Sequence, residues 1–103
     1  MKYKVWYQIN EKIRERGERP FEEREIPFLL PDHHYMITVE ADSMEDVFMG
    51  MNAPNNPLGD EKCQEDIGYF GINHTSMSIN DVIVDEDGRK FRVANFGFQE
   101  VTE

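Results

Sequence analysis

Tyr3, Val5, Tyr7 and Ile9 alternate with Lys4, Trp6 and Gln8, and this period of two predicts a strand over residues 3–9 with the first set on one face. β-branched and aromatic types fill it, as a pleated, half-buried surface favours. The alternation returns over residues 34–41, where Tyr35, Ile37 and Val39 are expected on one face and His34, Met36, Thr38 and Glu40 on the other. The period then changes. Met44, Val47, Phe48 and Met51 recur at helical spacing, which predicts a helix over residues 43–51 packed on the sheet by that face. Ser43 suits its N-cap, Asp46 stands three residues on as in a capping box, and Glu45 with Asp46 suit the positive end of the helix dipole. The methionines read as core side chains. Further on, apolar runs at residues 82–84 and 91–93 flank Asp85–Gly88. Asp87-Gly88 is a strong turn pair, so a hairpin is expected over residues 82–101, with Phe96, Phe98 and Val101 extending its apolar pattern. Asn80-Asp81 suits another turn, because asparagine tolerates the left-handed conformation. Ser76 and Ser78 can bond to nearby backbone in the lead-in. Gly97 between two phenylalanines suggests a bulge or a close backbone approach. The resulting fold class is α+β, an antiparallel β-sheet with one main helix packed on one face and a C-terminal β-hairpin.

The intervening segments are less patterned. Residues 10–25 interleave six acids with five bases, a solvated, self-neutralising stretch with a short helix expected between Asn10 as cap and Gly17 as terminator. Pro27 and Pro31 bracket an apolar "IPFLLP", remove backbone donors and discourage regular structure, and the segment is expected to cover an edge of the core. Two prolines and two asparagines end the main helix. Asp60 and Gly68 bound a second short helix, and "YFGI" is too short to assign.

At 103 residues the chain is expected to be a single domain, 1–103. No apolar run reaches bilayer length and the first residues lack the apolar core of a signal peptide, so a cytoplasmic location and no membrane partner are expected. Cys63, the single cysteine, has acidic neighbours that raise a thiol pKa, and reads as inert. Charge changes the picture most. The net charge of −10 argues against direct nucleic-acid binding, which draws its affinity from Lys and Arg, and points to a basic protein surface as partner. The negative charge is concentrated mid-chain, where residues 31–66 carry nine acids against Lys62 alone. Asp42, Glu45, Asp46, Asp60, Glu61, Glu65 and Asp66 are therefore the candidate partner-binding residues.

Candidate chemistry is sparse. His33, His34 and His74 with nearby acids suggest a metal site, but adjacent histidines on a strand point to opposite faces. Residues 85–88 lack the spacing of a calcium loop. There is no nucleophile elbow, phosphate-cradling glycine loop or C-x-x-C, so neither a cofactor nor an enzyme is expected. Tyr3, Trp6, Tyr7 and Tyr35 could stack on bases beside a small cationic spot from Lys2, Lys4, Arg89, Lys90 and Arg92, but alternation is expected to bury most of them.

The C-terminal stretch "HTSMSINDVIVDEDGRKFRVANFGFQEV" resembles the signature of small, uncharacterised phage and mobile-element proteins with YodL-like domains. The resemblance rests on His74, Ser76, Met77, Ser78, Asp81, Val82, Ile83, Phe91, Val93, Gly97 and Phe98, with Asn80 where glycine or serine is commoner. The N-terminal "KYKVWYQI" is similar to the start of such proteins. The resemblance implies a phage or mobile-element setting and supplies no catalytic residues. The expected function is a noncatalytic acidic binding protein that inhibits a host defence or nucleic-acid-binding protein by charge mimicry, as anti-CRISPR and anti-restriction inhibitors do. The alternatives are a small metal-dependent enzyme using His34 or His74 with neighbouring carboxylates, and a homodimer paired through an exposed sheet edge.

Overall fold

A computed structural model describes residues 1–22, 32–53, 56–59 and 61–101. The expectations for "IPFLLP" and for Asp60 as a cap fall outside them. Five strands form one antiparallel sheet in the order β2-β1-β3-β4-β5, with β1 at Lys2–Gln8, β2 at His33–Glu40, β3 at Val82–Val84, β4 at Lys90–Val93 and β5 at Phe98–Val101. Among the described residues three helices accompany it: α1 at Asn10–Glu15, α2 at Met44–Met51 and α3 at Glu61–Tyr69, with a 3₁₀ turn at Pro57–Gly59. The architecture is α+β, and the expected hairpin proves to be three strands. Among the described residues no helix is long and apolar enough to cross a membrane.

Alternation in β1 sends Tyr3, Val5 and Tyr7 into the core, each at most 3% exposed. There they meet Val47 and Met51 of α2, Ile67 of α3, and Leu58, Ile72, Met77, Ile83 and Val93, apolar surface whose removal from water is the main favourable term in the fold. Ser43 caps α2, its hydroxyl accepting the Asp46 N–H at 3.2 Å.

Strand β2 departs from simple alternation. Val5 pairs with Ile37 but Trp6 with Tyr35, so Met36 is an extra residue, a β-bulge. A one-residue shift moves everything beyond it to the other face. Tyr35 therefore does not share the core face of Ile37 and Val39, as the pattern predicted; it stands 41% exposed against the edge of Trp6, while His34 comes opposite Tyr7.

The minor helices are fixed by tertiary contacts rather than propensity. Ile9, not Asn10, precedes the first turn of α1, because Ile9 is held by donating its N–H to the Asp32 carbonyl at 2.7 Å while Glu11 donates to the Gly71 carbonyl at 3.0 Å. Helix α3 passes through Gly68 and stops at Gly71. Gly71 (φ +72°) closes a Schellman motif in which Ile72 and Gly71 donate to the Ile67 and Gly68 carbonyls. A Cβ at Gly71 would lie 2.8 Å from Cβ of Glu11, so glycine is required here by space as well as by φ.

Candidate functional site

Antiparallel pairing gathers the ends of strands. Lys2 lies opposite Glu40, Lys4 opposite Val84, and Val84 opposite Lys90. The start of β1, the end of β2, the link into α2 and the β3–β4 turn thus share one end of the sheet. Asp42, Glu45 and Asp46 stand there, all exposed. The turn adds Asp85 and Glu86, which sequence reasoning missed because they lie some 40 positions downstream and are joined to the group only by strand pairing. That they act at one place is visible at buried Tyr3. Its phenol is pushed up by burial first, and then by the charges of Asp85, Glu45, Glu86 and Asp42. Glu86 also accepts the Lys2 backbone N–H. Lys2 and Arg89 are exposed at this end as cations.

The remaining candidates lie elsewhere. Glu65 and Asp66 are exposed on α3, whose C-terminal end docks at the far end of the sheet through Gly71 on Glu11 and Phe70 stacked on His34 at 4.2 Å. Asp60 lies outside the described residues, as does the side chain of Glu61. Two arginines of the N-terminal segment are engaged with other acids: Arg16 holds Asp32 with two bonds of 2.9 Å and contacts Glu18, and Arg19 pairs with Glu22. Among the described residues no ion pair engages Asp42, Glu45, Asp46, Glu65 or Asp66.

The far end also holds a polar knot beneath the surface. Asp81 is fully buried, and its Oδ1 and Oδ2 accept the backbone N–H groups of Gln8 and Ser78, both at 2.8 Å. His74 Nε2 lies 3.0 and 2.9 Å from the same two oxygens, while Nδ1 lies 2.8 Å from the Ile72 carbonyl and 3.0 Å from Asn10 Nδ2. Asp81 calls for an N–H on Nε2, while Nδ1 faces both the Ile72 carbonyl, which accepts, and the Asn10 amide nitrogen, which donates. Burial alone would lower the His74 pKa, but the hydrogen bond and charge of Asp81, with the Ile72 carbonyl, outweigh it and the pKa is raised. Tyr7 stacks on the imidazole at 4.7 Å, and its hydroxyl donates to the Thr75 carbonyl at 2.7 Å. Asn80 adopts the left-handed conformation (φ +75°) and donates to the Pro20 and Glu22 carbonyls, while His33 Nε2 meets the Asn80 carbonyl at 2.7 Å. The Ser-Met-Ser-Ile-Asn-Asp lead-in is thus a clamp joining the end of β1 to the start of β3.

A general base needs a ring nitrogen or lone pair within reach of substrate, and His74 has both nitrogens committed to internal partners. A cleft of about 400 Å³ lies between Phe21, Phe48, Ser78, Ile79, Val93, Ala94 and Asn95, and no histidine or carboxylate is among these described lining residues. Among the described residues no group of three histidines, cysteines or acids is placed to hold a metal. His33 and His34 point to opposite faces of β2, one bonded to Asn80 and the other stacked on Phe70. Compared with family models, curated proteins and solved structures, the chain finds no match.

Proposed function

We propose that this chain is a noncatalytic acidic binding protein of a phage or mobile element, which captures a basic protein surface such as the nucleic-acid-binding face of a host defence protein. The observation that carries this reading is the exposed group of Asp42, Glu45 and Asp46, joined by Asp85 and Glu86 and left without ion pairs among the described residues. These acids are mounted on a capped helix start and a tight hairpin turn, so they are presented with little conformational freedom to lose. A surface so charged steers cationic partners and accelerates association. The mobile-element setting comes from the resemblance of residues 74–101, and charge mimicry of nucleic acid is the role that joins the two, as in anti-CRISPR or anti-restriction inhibition.

Reversing Asp42, Glu45 and Asp46 together to lysine tests it. The wild-type protein should retain a basic host protein in affinity capture at low salt and lose it as ionic strength rises, since exposed charges are screened within about 10 Å at 0.1 M salt. The triple variant should retain markedly less. Equal capture by both proteins, or capture indifferent to salt, defeats the reading.

A further inference from the structure

Helix α3 displays acids in different company from those at the start of α2. Tyr69 follows Glu65 by four residues and Asp66 by three, so the three share one helical face. Tyr69 is 84% exposed and Phe70 40%, and their rings meet edge to face at 4.9 Å. Single exposed apolar side chains are ordinary. Here, however, two adjacent aromatics stand together on a rigid mount: the Schellman turn at Gly71 fixes the backbone beneath them, and His34 stacks on the other side of Phe70. Aromatic side chains held this way lose little entropy on docking and are enriched among residues that dominate interface energies.

Resting on the binding role proposed above, we infer that Tyr69 and Phe70, framed by Glu65 and Asp66, anchor the chain to a protein partner that presents lysine or arginine beside an apolar pocket. Charge complementarity selects this occupant. Glu65 and Asp66 are exposed and without ion pairs among the described residues, so a basic rim would meet the carboxylates while the rings fill the pocket. The two acidic groups then divide the work. The group at Asp42, Glu45 and Asp46 speeds encounter, and α3 sets how long the complex lasts.

The test is an amide-resolved NMR titration of the full chain with two short synthetic peptides of equal charge, one alternating lysine with leucine and one alternating lysine with serine. The lysine–leucine peptide should shift the amides of residues 65–71 saturably and bind about tenfold or more tighter than the lysine–serine peptide. Tyr69→Ala should erase that difference and Tyr69→Phe should keep most of it; the near-complete exposure of Tyr69 leaves folding undisturbed. Equal affinity for both peptides, or shifts confined to residues 42–46 and 85–86 and unaffected by Tyr69→Ala, overturns the anchor and leaves the acidic binding role standing. Failure of both peptides to bind at low salt overturns the two together. Broadening of residues 65–71 with protein concentration alone would assign the patch to a second copy of the chain and overturn the basic partner.

Discussion

Strand β3 begins after one aspartate and ends before another, and the two have opposite fates. Asp81 is fully buried and met by two backbone N–H groups and the His74 ring. Asp85 sits in a hairpin turn open to solvent, where its Oδ1 accepts the N–H groups of Asp87 and Arg89 at 3.0 and 2.9 Å. A buried carboxylate is costly unless every lone pair is matched, so the Asp81 end is specified residue by residue. The exposed end is held by strand pairing, its turn and the α2 cap, and Asp42, Glu45 and Asp46 there carry no ion pair among the described residues. Residue type says nothing about which role an acid takes; surroundings decide.

Breaking the closed end should have the largest effect. Asp81→Ala strips His74 Nε2 and the Gln8 and Ser78 N–H groups of their buried acceptor, and should cost about 3–5 kcal/mol in denaturant unfolding. A loss under about 1 kcal/mol would mean the knot adds little to the pairing of β1 with β3. Protonation of His74 offers a finer version. Its pKa is raised in the folded chain, so the stabilisation is fully present below the unfolded value near 6.5. It is lost as pH rises through the higher folded value. Unfolding curves between pH 6 and 9 should show the stability margin of wild type over His74→Gln shrinking with pH, at no more than about 1.4 kcal/mol per pH unit. A margin that grows instead would reverse the assigned charge state.

At the open end the effects should be smaller. Ser43→Ala removes the hydroxyl that accepts the Asp46 N–H and should cost about 1 kcal/mol. Asp42→Lys, at a residue in no ion pair among the described residues, should alter stability by about 0.5 kcal/mol or less while weakening capture of a basic partner. A larger stability change there would show that the exposed acids are also structural, and would blur the contrast with Asp81.

Period and turn chemistry made much of this legible in the sequence. β1, α2 with Ser43 as its cap, the Asp87-Gly88 turn and the left-handed Asn80 all follow from local rules, because each depends on residues near in the chain. What was hidden depends on distant partners. Gly68 and Gly71 look equally able to end α3, and only the approach of Glu11 selects Gly71. His74 and Asp81 lie seven positions apart in a stretch readable as a hairpin lead-in, but their pairing needs the β1 terminus to supply Gln8 and Tyr7. The acidic candidates were chosen by position in the chain, which joined Glu65 and Asp66 to a group that pairing places elsewhere and left out Asp85 and Glu86.

The extra residue Met36 has a consequence for the company this molecule can keep. β2 is a border of the sheet, and borders with straight, unpaired backbone recruit neighbouring chains into fibrils or ill-defined aggregates. A kink midway along β2 spoils the ruler against which an intruding strand would align, and β5, at the opposite border, is only four residues long. The kink in β2 and the shortness of β5 thus make both margins of the described sheet poor templates for an added strand.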